Sequence, residues 1–270
     1  MRKLPLLLSA LISFLFACNN KPTYDTIIHN SIIYDGSGAK PTKGDIAINA
    51  DTIAFIGDLS DAKAIHDIDA KGMAVSPGFI DVQSQSMESL IQDGRSLGAI
   101  KQGVTLEVFG EGESMGPITD TLKKIEQKQQ GDIKYKIEWT TLKDYLQYLE
   151  KKGVSTNVAS FLGAATIREN LLLFANRAPD SSELDKMKLL VKQGMEDGAL
   201  GIGSALIYAP GTYAKTDELI ALCKAAAPYG GTYISHIRSE GNQLLQAADE
   251  LIKISKEANI PAIFYHLKAA

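Results

Sequence analysis

Four histidines occur in this 270-residue chain, and two of them close runs that read as buried strands: His236 ends "GTYISH" and His266 ends "IPAIFYH". A single histidine at a strand end is usually a hydrogen-bonded core residue. Two at matching ends of successive strands point to other chemistry, because neighbouring parallel strands lie about 4.8 Å apart and both imidazoles can converge on one ion. Neutral imidazole suits zinc, and two histidines with one carboxylate form a common catalytic set that leaves a position open for water. Carboxylates are at hand in "LEVFGEGES". Glu111 and Glu113 follow a strand, and Glu107 lies inside it, where burial demands a partner. Another strand, "SPGFIDV", runs into Gln83 and Gln85, neutral side chains that bind zinc weakly beside imidazole.

The elements that would position these groups follow from hydrophobic patterning. "YDTIIHNSIIYD" and "GDIAINADTIAFIGD" alternate apolar and polar residues around the turn-forming "DGSGAKPTKG", so Tyr24 to about Lys71 reads as a small sheet of short hairpins. From Gly72 the texture changes. "MAVSPGFIDV", "GVTLEVFG", "STNVASFLG", "ALGIGS", "GTYISH" and "IPAIFYH" are apolar strands of the kind buried on both faces. Helical stretches lie between them: Glu88 to Gln102, Lys143 to Lys152, the "DSSELDKMKLLVKQGMEDG" segment, Asp217 to Ala226, and "NQLLQAADELIKISKEA". Asp180 and Glu183 have the spacing of a capping box, Gly198 is placed to stop that helix, and Leu184, Met187, Val191 and Met195 share a face. On the last helix Leu244, Ala248, Leu251 and Ile252 are expected inward. Six strand–helix alternations mark parallel βαβ units. A doubly wound sheet is disfavoured, since no Gly-x-Gly-x-x-Gly follows the first strand. The expected fold is α/β: an incomplete TIM-type (β/α)8 barrel of about six βα units, preceded by a small N-terminal β-sandwich portion. The sequence stops at Ala270, just after the sixth strand, so about two further βα units are expected beyond it.

Composition is globular, with 45% hydrophobic and 22% charged residues. A net charge of −4 with no basic face argues against a nucleic-acid partner. The N-terminus stands apart. "MRK" followed by "LPLLLSALISFLFA" reads as an export signal, too short to span a bilayer comfortably, and it ends at Cys18, as in a bacterial lipobox, with Phe16 an unusual residue there. The expected organisation is a signal at 1–17, lipidation at Cys18, a tether at 18–23, a β domain at 24–73 and a partial metal-bearing barrel at 74–270. Asn19 after the cysteine points to an outer-membrane lipid anchor facing the periplasm in a two-membrane bacterium. Cys223, the only other cysteine, falls on an apolar helical face and reads as a buried thiol, so no disulfide framework exists.

Six stretches together carry a family resemblance: "SPGFIDV", "GVTLEVFGEGESMGP", "TNVASFLGAATIR", "GALGIGSALIYAPGTYA", "ELIALCKAAAPYGGTYISHIRSEG" and "IPAIFYHLKAA". The chain resembles the N-acyl-D-amino-acid deacylases (D-aminoacylases) of the amidohydrolase superfamily, from about Tyr24 to its last residue. The resemblance implies a small β-sandwich joined to a metal-bearing barrel. It also implies zinc-dependent hydrolysis of the linear amide C–N bond of an N-acyl-D-amino acid. One tight zinc is implied, held by histidines matching His236 and His266 and by a third ligand just after the second strand. That ligand is typically a cysteine, but Gly112 falls nearest the aligned position, so Glu111 is the expected substitute. A weaker second metal position is implied near a His-x-His that here reads Gln83 and Gln85, and is expected to be degraded. The family's general base is an aspartate after an eighth strand, which is expected beyond Ala270. No residue of this chain takes that role, and the chain alone is expected to be inactive. Lys268, Arg238 and Tyr208 are the candidate substrate contacts. Two alternatives stand beside this reading. One is a dipeptidase or cyclic amidase, disfavoured because "GALGIGSALIY" lacks the strand-four lysine such enzymes carboxylate; the other is a surface lipoprotein that binds acyl-amino acids or peptides without cleaving them.

Overall fold

The computed structural model describes residues 22–270, and the chain divides into two compact units after Pro77. The signal segment and Cys18 lie outside the described residues. Among those residues no helix is long and apolar enough to cross a membrane.

The first unit is one mixed sheet built from β1 (Thr23–Ile33), β2 (Thr42–Asn49), β3 (Thr52–Gly57), β4 (Lys63–Asp69) and β5 (Ala74–Val75). Its order is β3-β2-β1-β4, with β5 also on β1. The two hairpins are antiparallel as the turn chemistry predicts, and Asp35 accepts from the Ser37 amide at 2.9 Å in the first of them. β4 and β5 instead run parallel to β1. The expected run of short hairpins is therefore corrected to a mixed sheet, in which only β1–β2 and β2–β3 are hairpins. Ile27, Ala47 and Leu59 form its small core.

The second unit carries β6 (Phe79–Asp81), α1 (Met87–Gln92), α2 (Leu97–Ile100), β7 (Val104–Phe109), α3 (Asp120–Gln129), α4 (Leu142–Lys152), β8 (Asn157–Ser160), β9 (Leu162–Gly163), α5 (Ala164–Leu172), α6 (Ser181–Glu196), β10 (Gly201–Ala205), α7 (Thr216–Ala226), β11 (Thr232–His236), α8 (Leu244–Ala258) and β12 (Ala262–Phe264). β8 pairs with β7 and β9 with β10, and only Phe161 separates β8 from β9. One chain segment thus hands pairing from a three-stranded to a four-stranded sheet. The result is a series of parallel strands in sequence order, β6-β7-β8 followed by β9-β10-β11-β12. Among the described residues β6 and β12 are each paired on one side only.

Alternation along the strands sorts side chains into two cores. Phe109, Leu162, Ile202 and Tyr233 join the helices in the large cluster, whereas Val108, Phe161, Ile234 and Tyr265 form a separate one. Close strand approach requires Gly203, where a Cβ would lie 1.9 Å from the carbonyl oxygen of Gly110.

The capping box of α6 is present: Asp180 accepts from the Glu183 amide and Glu183 from the Asp180 amide, each at 2.8 Å. Met187, Val191 and Met195 are buried beneath it, and Gly198 follows with φ +103°. Three expectations change. The helix read over 88–102 is two short helices, broken where Asp93 chelates Arg95 and Ser96 takes a left-handed conformation. On α8 the inward face is Ala247, Leu251, Ile254 and Ala258, which leaves Ile252 42% exposed. Helices α3 and α5 have no counterpart in the sequence reading. Arg168 on α5 is fully buried; its Nη1 donates to Glu218 of α7 at 2.6 Å, and its Nη2 donates to the carbonyls of Ala175 and Arg177.

Candidate metal centre

Three strand ends deliver the site. β11 ends on His236, which is 5% exposed. His266 lies two residues past β12 with φ +24°, a conformation uncommon for a residue with a Cβ and typical of functional positions. Glu111 lies two residues past β7, between Gly110 (φ +104°) and Gly112 (φ +79°), whose left-handed conformations swing the chain out of the strand.

These residues meet. Oε1 of Glu111 lies 3.1 Å from Nδ1 of His236 and 3.2 Å from Nε2 of His266, and the two rings cross at 82° with centroids 4.5 Å apart. A tetrahedron built on zinc bonds near 2.1 Å has edges of about 3.4 Å. Two nitrogens at this distance from one oxygen therefore describe a site into which a divalent ion fits. Glu111, His236 and His266 are the only group of three metal-ligating side chains among the described residues whose donor atoms lie within 4.8 Å of one another.

The supporting contacts match a metal site as well. Glu240 places Oε1 3.1 Å from Nδ1 of His266 and 3.8 Å from Nε2 of His236, a buried nitrogen with no other partner. Carboxylates behind ligating imidazoles commonly fix the tautomer and the ring orientation. Lys268 donates to Glu240 at 2.5 Å and lies 3.2 Å from Nδ1 of His266, and its bond and charge hold the Glu240 carboxyl below the usual range.

Gln83 and Gln85 each donate a side-chain N–H to Oε2 of Glu111 at 2.7 Å. The two amides occupy one carboxylate oxygen and leave the other to the histidines. Burial pushes the Glu111 carboxyl up, but the bonds from Gln83, His266 and His236 outweigh it and hold the group below its ordinary value. Ser84, between the two glutamines, donates to Glu107 instead.

The other two carboxylate candidates do not join the histidines. Glu107 is 1% exposed and accepts from the hydroxyls of Ser84, Ser96 and Thr156 at 2.9, 2.9 and 2.7 Å, which satisfies the demand its burial creates. Glu113 lines the cavity over the site but forms no hydrogen bond or ion pair with the histidines. A cysteine at Gly112 would not fit without rearrangement, because a Cβ there would lie 2.8 Å from Cβ of Ala205.

A cavity of about 580 Å³ opens over the site, lined by Gln83, Gln85, Glu111, Tyr208, His236 and Lys268 among others. Tyr208 is 60% exposed and stands edge-on to His236 with centroids 5.6 Å apart. Arg238 is a correction. It chelates Glu250 at 2.8 and 2.9 Å and donates to the carbonyls of Thr212 and Ala214, so its guanidinium is committed to holding a loop and does not line the cavity. The Ala270 amide donates to the Glu240 carbonyl at 2.9 Å, which ties the segment after His266 to the loop after β11. Glu240 escapes the sequence reading, although its spacing four residues after His236 is a usable signal. Cys223 is fully buried, and desolvation pushes its thiol up.

No family model matches the sequence. Among proteins of known activity, the chain is 32% identical to a D-aminoacylase of Alcaligenes xylosoxydans xylosoxydans over 248 residues, 91% of this chain and 51% of the relative. It is 30% identical to an N-acyl-D-aspartate deacylase of the same organism over 91% of this chain and 50% of that one. Among solved structures, it superposes with a TM-score of 0.80 on an N-acyl-D-glutamate deacylase from Bordetella bronchiseptica complexed with zinc and a phosphonate mimic of the tetrahedral intermediate. That match is 27% identical and covers 89% of this chain and 50% of the other. The chain spans about half the length of the relatives it matches, and over that span it is similar to the D-aminoacylase and the N-acyl-D-amino-acid deacylases.

Proposed function

We propose that this chain supplies the metal-holding part of a hydrolase that cleaves the amide bond of N-acyl-D-amino acids. The observation that carries the reading is the single oxygen of Glu111 shared by His236 and His266. Zinc bound there would polarise a carbonyl and furnish a water-derived nucleophile near neutral pH. The protein's own groups do the rest of what this span can do. Glu111, His236 and His266 hold one ion. Gln83 and Gln85 fix Oε2 of Glu111, so the site is mononuclear: the residues that would make a second metal position are spent as hydrogen-bond donors. Glu240 lies against Nδ1 of His266 and orients it, Lys268 holds Glu240, and Tyr208 forms a wall of the cavity. Because Lys268 is bound to Glu240, a substrate carboxylate would reach it only in competition with that pair. The general base that takes the water proton is assigned to an aspartate beyond Ala270.

The test uses the full-length protein. We expect about one zinc per chain, hydrolysis of N-acetyl-D-methionine but not its L-enantiomer, loss of activity on chelation, and recovery with zinc. His236→Ala removes both metal and activity. Activity that survives complete metal removal refutes the mechanism, and ligand binding without metal favours a non-catalytic binding protein.

We infer a lipid anchor at Cys18 from the apolar run that precedes it, with the hydrolase exposed to the periplasm. Cys18→Ser should move the protein from the membrane to the soluble fraction and abolish incorporation of labelled fatty acid. An unchanged distribution rejects the anchor.

A further inference from the structure

A second cavity, of about 350 Å³, shares Glu113 with the first. Its wall carries four carboxyls, from Glu88 on α1, Glu113 after β7, Glu126 on α3 and Glu169 on α5, and it contains no Lys, Arg or His. Glu169 is 5% exposed, and its carboxyl has no hydrogen-bond or ion-pair partner among the described residues. Glu113, which is exposed, and Glu126, which is half-buried, likewise have no hydrogen-bond or ion-pair partner for their carboxyls among the described residues. Only Glu88 receives a bond, from the Tyr135 hydroxyl at 3.0 Å. Its basic neighbour in the chain pairs elsewhere: Arg168 is committed to Glu218. Buried Glu107, by contrast, is satisfied by three hydroxyls, and an unpaired buried carboxylate carries a large desolvation cost.

We propose that this cavity binds an organic cation, an ammonium or guanidinium on a short apolar stem, presented by the molecule on which the metal centre acts. A bare metal ion fits poorly, because no three of these carboxyls bring donor atoms within 4.8 Å of one another. Spread acceptors suit a guanidinium, whose donors fan out in a plane. Met87, Met115 and Leu122 offer apolar wall to a stem, and Phe174 and Tyr135 offer ring faces to a cation. The link to substrate rests on the deacylase reading, whereas the cation site itself does not. Burial and then the charges of Glu113 and Glu126 push Glu169 up to about 8, and burial followed by Glu113 and Glu88 pushes Glu126 up to about 7. A bound cation reverses this and drives both groups to ionise, so binding releases protons.

The test measures binding and turnover separately on the full-length protein. Calorimetry compares butylguanidinium with butylurea, its uncharged isostere. The cation should bind at least about tenfold more tightly, and its affinity should rise between about pH 6 and pH 8.5. Glu126→Gln with Glu169→Gln should abolish the preference while leaving the circular dichroism spectrum unchanged. In turnover, kcat/KM for N-acetyl-D-arginine should exceed that for N-acetyl-D-citrulline by about tenfold or more, and the double variant should bring the ratio near one. Equal affinity for cation and urea in the unaltered protein overturns the proposal, as does displacement of butylguanidinium by millimolar magnesium. If butylguanidinium binds equally to the His236→Ala protein and no amide is hydrolysed, the cation site stands and the deacylase reading falls. If both amides are hydrolysed equally, the deacylase reading stands and the proposal falls.

Discussion

Replacing Gln83 and Gln85 tests whether these residues are relics or working parts. Each donates to the same oxygen of Glu111 at 2.7 Å, but they differ in setting: Gln83 is partly buried and Gln85 is exposed. A hydrogen bond to a charged acceptor contributes about 1.5–3 kcal/mol when screened from water, and the exposed one contributes less. Gln83→Leu should therefore weaken metal binding by about tenfold or somewhat more, which is also the lower end of the effect of losing a supporting contact behind a ligand. Gln85→Leu should cost only about two- to fivefold. The pH dependence gives the sharper readout. The Gln83 amide helps hold the Glu111 carboxyl below its ordinary value, so its loss lets the group rise. Protons then compete with metal at higher pH than before, and the deficit of the variant should widen as pH falls. It should narrow on the alkaline side, where the carboxylate is ionised in both proteins. Zinc affinity is measured by competition with a chromophoric chelator from about pH 4 to pH 8. Unchanged affinity in the double Leu variant, or a deficit constant with pH, would refute the view that the glutamines act through Glu111.

Three further outcomes follow from the packing. Gly112→Ala places a Cβ 2.8 Å from Ala205 at φ +79° and should lower stability by about 1–3 kcal/mol, read as a shift in the urea midpoint. Arg168→Met strands the carboxylate of Glu218 in the interior and should cost about 3–5 kcal/mol, whereas the paired change Arg168→Met with Glu218→Leu should recover most of it. Glu169→Gln should stabilise the protein in a pH-dependent way. The folded-state carboxyl is raised to about 8, so the folded chain holds a proton that the unfolded chain releases, and stability falls as pH rises from the ordinary glutamate value of 4.5 through about 8. The variant should match the parent near pH 4 and exceed it at pH 9 in thermal melts; equal curves across that window refute the assignment.

The strand ends are legible in the sequence because a parallel barrel-type array places its working residues there and its apolar runs are easy to see. His236 and His266 can be paired from that rule alone. Choosing among Glu107, Glu111 and Glu113 is harder, since all three belong to one short segment. The choice rests on the turn at Gly110 and Gly112 and on the hydroxyls around Glu107, which come from Ser84, Ser96 and Thr156 far along the chain. Composition gives no sign that Gln83 and Gln85 grip Glu111, because that contact spans two strands. Arg238 misleads for a related reason: its place after β11 is right for a pocket, but Glu250, one helix later, draws it away. The parallel placement of β4 on β1 overrides a local pattern that reads as hairpins throughout.

Among the described residues β6 and β12 are paired on one side only, and this has a practical consequence. Phe79, Ile80 and Val82 beside one margin, and Ile263 and Leu267 beside the other, are 49–61% exposed. Open backbone margins flanked by greasy side chains recruit further strands, from another copy if nothing else is offered. Expressed as these 270 residues, the polypeptide should sediment as mixed, concentration-dependent aggregates, and preparations should stay monodisperse only when something covers both margins.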